Sequence, residues 1–243
     1  ELHLGILIEN MRREGFELGV WRSEVITREV DGQLQEPFEQ LTVDVEEDYQ
    51  GAVMQRLGER GGELTDMLPD GRGRVRLDYI IPARGLIGFR TEFLTATSGT
   101  GLMYHVFDHY GPVKPADYGQ RINGVLIAMA KGKALAYALF NLQDRGKLFI
   151  GPGEEVYEGM VVGLHSRDND LGVNPMKAKQ LTNIRAAGSD ENIILTPAQK
   201  MSLEQALEFI DDDELVEVTP AAIRIRKKYL LEHERKRAAK SGS

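Results

Sequence analysis

The chain contains no cysteine, which excludes disulfides, thiolate metal sites and cysteine nucleophiles. That absence fits a reducing cytosol. Long hydrophobic runs are missing too. The most apolar stretch, Gly124 to Phe140, is interrupted by Lys131 and Lys133 and falls short of the ~18 apolar residues of a membrane-crossing helix. A nucleotide-hydrolysing site needs a phosphate-cradling loop of the form G-x-x-x-x-G-K-[ST]. The nearest approach, "AKGKAL", has Ile127 in place of the first glycine and Ala134 in place of the hydroxyl. No secretory leader is visible, and the opening "ELHLGILIENMRREG" reads as a piece of a longer protein.

What is present is a globular composition, 42% hydrophobic and 28% charged over 243 residues, enough for one large or two ordinary domains. The formal net charge of -8 is unevenly spread. Residues 201–218 hold seven acids and no base, whereas residues 224–240 hold eight bases and two acids. Such a chain does not bind polyanions through its whole surface, but local phosphate-binding surfaces remain open to it.

Periodicity predicts a helix over 1–14, with Leu4, Leu7, Ile8 and Met11 on one face and Gly15 as its cap. "FELGVWRSEVITREV" alternates as a strand. One helix and one strand cannot bury themselves, so residues 1–34 are expected to lack partners. Strand, helix, two strands joined by Pro-Asp-Gly, helix and strand then follow over residues 35–111. That order is the split βαβ, or ferredoxin-like, arrangement. Past the linker-like "GPVKPADYG", short apolar runs including "NGVLIAMA", "KALAYALFNL" and "VYEGMVVGLHS" predict a β-rich, barrel-like domain over 112–243. "ENIIL" reads as strand, and Ser202 with Gln205 forms a candidate capping box. "ELVEVTP" and "AAIRIRKKY" pair as strands before a basic helical tail. The fold class is therefore α+β, with peripheral helices.

Four constellations are candidates for chemistry. His105 and His109 have zinc-like i, i+4 spacing, but on a predicted strand and turn without a third ligand. Asp211, Asp212, Asp213 and Glu214 end an amphipathic helix and read as a solvated helix end or a docking surface for a basic element. Arg84 and Arg90 flank Gly85 in "RGLIGFRTEF", where helix-start N–H groups suit a phosphate oxygen; a tight turn burying Leu86 and Phe89 accounts for the pattern equally well. Finally, "GVNPMKAKQLTNIRAAG", residues 172–188, carries Lys177, Lys179 and Arg185 among Asn174, Thr182 and Asn183, with no acid. Cations for phosphates, with amides and hydroxyls for sugar and base edges, suit RNA. Arg167, just upstream, extends the candidate surface, as does the basic run Arg224, Arg226, Lys227 and Lys228, which reads equally well as packing against the acidic block at 211–214.

Longer stretches carry a resemblance. "ENMRREGFELGV" and "EPFEQLTVDVEEDYQGAVMQRLGERGGEL" resemble the third and fifth domains of translational GTPases of the elongation factor G type. "GRGRVRLDYIIPARGLIGFRTEFLTATSGTG", "GKALAYALFNLQDRGKLFIGPGEEVYEGMVVG", "HSRDNDLGVN" and "LEQALEFIDDDELVEVTPAAIRIRKKYL" closely resemble the BipA/TypA family of ribosome-associated GTPases. The resemblance implies a third-domain remnant over 1–34, a fifth domain over 35–111 and the family's own C-terminal domain over 112–243. It implies binding to the ribosome through large-subunit RNA and the acceptor end of A-site transfer RNA, with Lys177, Lys179 and Arg185 on the contacting loop. No membrane, small-molecule substrate or catalytic residue is implied for these residues, and no cofactor; GTP and magnesium belong to the family's N-terminal half. The rival is an α+β module sensing a small ligand, which has no need for a long basic loop.

Overall fold

The computed structural model describes residues 2–114, 121–178 and 194–241. They form two compact units, one of residues 23–120 and one that joins residues 1–22 to 121–243. The chain opens with α1 (Leu2–Arg13) and β1 (Leu18–Trp21), both in the second of these units.

The unit 23–120 begins with β2 (Arg28–Val30) and β3 (Gln33–Glu46). They join through Asp31 and Gly32, both at positive φ, as two-residue hairpin turns require. Along β3, Leu41, Val43 and Val45 are buried while the residues between them face outward. Next come α2 (Glu47–Glu59), β4 (Glu63–Pro69), β5 (Arg74–Pro82), α3 (Ala83–Leu86), α4 (Phe89–Ala96) and β6 (Leu102–Pro112). The antiparallel strands lie in the order β6-β3-β5-β4. This is the ferredoxin-like arrangement that the sequence pattern predicts. Val53 and Leu57 of α2, with Phe89 and Phe93 of α4, cover one sheet face.

The single helix expected after β5 breaks in two. Ile87 is extended and Gly88 left-handed, with φ 70. Arg60 fills the break, donating to the Gly85 and Ile87 carbonyls at 2.9 and 3.1 Å and to Glu92 at 2.7 Å.

The other unit contains β7 (Val125–Ala128), β8 (Gly132–Lys133), α5 (Ala136–Leu142), β9 (Gly146–Leu148), β10 (Glu155–Val156), β11 (Met160–His165), β12 (Leu171–Val173), α6 (Leu203–Phe209), β13 (Glu214–Val218), β14 (Ile223–Lys227) and α7 (Glu232–Ser241). Its main sheet runs β1-β13-β14-β11-β7-β12, with β9 also on β11. β7 is buried on both faces. Val125 and Ile127 enter one core with Ile8, Leu203 and Val216, while Leu126 and Ala128 enter another with Leu139, Ile150 and Val162.

Four expectations for this unit are corrected. The sheet is open rather than a barrel, because β12 ends it with a parallel pairing to β7 and does not reach β1. "KALAYALFNL" yields helix α5, because Ala138, Leu139 and Leu142 recur at helical spacing toward the core. Of "ENIIL", residues 191–193 lie outside the described residues, while Ile194 and Leu195 lie in an irregular segment, with Ile194 exposed. Residues 1–22 are not left without partners: β1 pairs antiparallel with β13, Leu18 opposite Val218, and Ile8 is buried beside Leu203 and Ala206. Leu4 and Leu7 do remain exposed.

Candidate nucleic-acid interface

The basic stretch begins on a built foot. β12 delivers Asn174, whose side-chain oxygen accepts from the Met176 amide at 3.0 Å and whose carbonyl accepts from Lys177 N–H at 3.4 Å. The neighbouring chain clamps this foot from the side. Met129 N–H donates to the Val173 carbonyl at 3.0 Å, and Leu135 N–H to the Pro175 carbonyl at 2.9 Å. The side chains interlock as well. A Cβ on Gly132 would run into the Met176 sulfur, and one on Gly172 would press on Met129. On the far side of the stretch, Gln143 binds both the Ile194 carbonyl at 3.2 Å and the Thr196 amide at 3.0 Å.

The turn before β12 is equally fixed. Gly124 N–H donates to the Arg167 carbonyl at 2.8 Å, and Asn123 donates to the His165 carbonyl at 2.9 Å. Asp170 accepts from the Val125 amide at 2.8 Å. Its other carboxylate oxygen meets Lys227 Nζ at 2.6 Å. That ammonium is buried and also contacts Asp213 at 2.9 Å and Glu214 at 3.0 Å. Glu214, fully buried, takes two hydrogen bonds from Arg121 at 2.9 and 2.7 Å.

These charges set one another's titration. Burial opposes the Glu214 charge, but the Arg121 hydrogen bonds and the Lys227 charge outweigh it and hold its pKa below the usual carboxylate range. For Lys227, burial pulls downward, while Glu214, Asp213 and Asp170 raise the pKa to about 12. Desolvating so many charges costs roughly what their attraction returns, so the network's main effect is geometric. It ties β13, β14 and the 166–170 turn to β7.

The candidate residues separate into three groups. Asn174 and Lys177 are exposed on the foot, and Arg167 is exposed at the opposite end of β12. Lys179, Thr182, Asn183 and Arg185 lie outside the described residues. The others, apart from the exposed Arg90, make contacts within the fold. Lys227 is the clear correction: its head group is enclosed by carboxylates, so it does not reach a partner. Arg84 is drawn inward to the buried Glu36 at 2.5 Å and to the Lys114 carbonyl. With α3 only four residues long, the tight-turn reading fits "RGLIGF" better than a phosphate site does. Arg224 and Arg226 stand 3.9 and 3.7 Å from Glu217. Lys228 lies over the Trp21 ring at 5.2 Å, and Arg90 is exposed at the start of α4.

The remaining constellations resolve simply. The acidic block docks basic elements, since Arg22 bridges Asp211 and Asp212 at 2.9 and 3.0 Å while Asp213 meets Lys227. His105 pairs with Glu39, and His109 stacks on Phe38 with ring centroids 5.1 Å apart. Among the described residues no metal-binding group of three or more ligands occurs. No helix among them is long and apolar enough to cross a membrane. Lys131 and Lys133 escape notice in the sequence because "KGK" invites comparison only with a P-loop; their place beside the foot emerges from the fold.

Comparison with known proteins follows the same division. Residues 33–121 match the family described as elongation factor G C-terminus, and residues 123–232 match the TypA/BipA C-terminal domain. The chain is 67% identical over 238 residues to "Large ribosomal subunit assembly factor BipA" of Salmonella typhimurium (strain LT2), and 66% identical to that of Escherichia coli (strain K12). The protein of the same description from Buchnera aphidicola is 61% identical over the same length. Each alignment covers 98% of this chain but 39% of the relative.

Proposed function

Because this chain belongs to the TypA/BipA family, we propose that it is the ribosome-docking, RNA-binding part of a large-subunit assembly factor. The observation that carries this reading is the built foot at Asn174–Lys177, set at the start of the basic stretch within the family's own domain. Phosphates would be held by Lys177, Lys179 and Arg185, while Asn174, Thr182 and Asn183 supply donors and acceptors for sugars and base edges. Phosphate contacts fix register, and the fixed foot sets where the stretch leaves the domain.

The partners under this reading are large-subunit ribosomal RNA and the acceptor end of A-site transfer RNA, met in the cytosol. These residues do binding rather than hydrolysis. GTP, magnesium and GTPase activity are assigned to the part of the family's proteins beyond the span of this chain.

The test is binding to purified large ribosomal subunits across a salt series, comparing the chain with its Lys177→Ala/Lys179→Ala/Arg185→Ala variant. Each lost single-strand phosphate contact lowers the salt slope by ~0.7, so three should lower it by roughly 2. An unchanged slope would remove the stretch from the RNA interface.

A further inference from the structure

The foot of the basic stretch does not stand alone. The turn from Met129 into β8 runs beside it, held by the Met129–Val173 and Leu135–Pro175 backbone bonds. Gly132 packs directly against Met176, so the backbone of the turn that carries Lys131 and Lys133 lies close to the foot that carries Lys177. All three lysines are exposed, and none makes an ion pair among the described residues. The acid nearest in register is Glu155, opposite Lys133 in the β8–β10 pair. Its neighbour Glu154 is already paired with Lys200 at 2.5 Å. Three cations are thus left without an ion pair among the described residues, in a protein of net charge -8.

Exposed lysines usually find acids or spread apart, since crowded like charges repel. Here the backbone bonds and the Gly132–Met176 contact hold them together, on the turn and on the foot, in a chain with acids to spare. Apolar surface borders the cluster, with Met129 and Leu135 exposed at the two ends of the turn. Cations interleaved with apolar groups suit a single-stranded nucleic acid, whose phosphates need charge and whose bases need non-polar contact.

We propose that the Met129–Lys133 turn is a second RNA-contacting element, with Lys131 and Lys133 gripping the phosphate backbone next to the segment held by the basic stretch. This rests on the reading above that the stretch itself binds RNA. Both elements would engage one strand, the turn as a rigid clamp and the stretch as its extension.

The experiment uses the whole chain with four proteins: wild type, Lys131→Gln/Lys133→Gln, the triple loop variant and the combination. Binding to large ribosomal subunits and to a twelve-nucleotide oligouridine probe is measured over a salt series. The glutamines keep the side-chain stems, and thermal melts confirm folding. The double variant should lower the salt slope by about 1.4 on both targets, at ~0.7 per contact, with the combination lowering it further. An unchanged slope in the double variant, with a fall in the loop variant, overturns the clamp and leaves the broader reading standing. The opposite pattern supports the clamp and removes the loop. If wild type binds neither target, both readings fall. Binding to polyglutamate in place of RNA would reassign the surface to an acidic protein and overturn the proposal.

Discussion

The Lys227 ammonium lies 2.6 Å from the Asp170 carboxylate, so a strand near the end of the chain holds the turn that leads into the candidate interface. Asp170 in turn accepts from the Val125 amide. Lys227→Met should cost about 2–3 kcal/mol, because the buried Glu214 keeps Arg121 but loses its second cation, and the more exposed Asp170 and Asp213 lose theirs. The urea midpoint should fall, and hydrogen exchange at the Val125 amide should quicken. A midpoint equal to that of wild type would mean that the network is not structural.

The same lysine predicts a pH dependence. Its pKa is raised to about 12 in the folded state, against ~10.4 in an unfolded chain. Its contribution is therefore complete below pH ~10.4 and is lost as the pH rises toward 12. The Tyr157 pKa is also raised, by burial first and by its hydrogen bond to Glu217 second, with the same sign. Wild-type stability should fall between about pH 10 and 12. Lys227→Met should flatten one part of that fall and Tyr157→Phe another. A Lys227→Met curve parallel to that of wild type would show that the lysine is not shifted. Glu214 acts at the other end of the scale, its contribution present above pH ~4.3 and lost on acidification.

Arg84 distinguishes a structural from an RNA-contacting arginine. Its removal leaves the buried Glu36 with the Lys114 amide, at 2.8 Å, as its one remaining donor among the described residues. Arg84→Ala should destabilise the 23–120 unit by about 3 kcal/mol while leaving the salt slope of ribosome binding unaltered. A change in slope at constant stability would return Arg84 to the interface.

The capping box at α6 gives a smaller effect. The Ser202 hydroxyl accepts from Gln205 N–H at 3.2 Å, and the Gln205 side chain accepts from Ser202 N–H at 3.0 Å. Ser202→Ala should cost about 1 kcal/mol, read from equilibrium unfolding. No loss would show that the α6 start is held by packing alone.

That capping box was legible in the sequence because both partners lie within one turn. Alternation likewise revealed β3 and β5, since a strand with one face buried writes its register into its residues. Charge segregation marked the basic stretch, and longer motifs tied it to a family. Lys227 was misread because "IRIRK" alternates like an exposed cation row, and its partners Asp170 and Glu214 come from other elements. Lys131 and Lys133 were passed over for a related reason, as their closeness to Lys177 depends on the Gly132–Met176 contact. Long-range pairing is also why β1 looked unpartnered.

That β1–β13 pairing joins Leu18 to Val218, and it sets an order of events during synthesis. At about 5–20 residues per second, β1 waits some 10–40 s after leaving the ribosome for its partner strand to be made. The intervening 23–120 unit contains all its own strands and can close first. Until residues 214–218 have been made, Leu18 and Val20 lack the β13 strand they pair with, so the β1–β13 pairing forms late relative to the 23–120 unit.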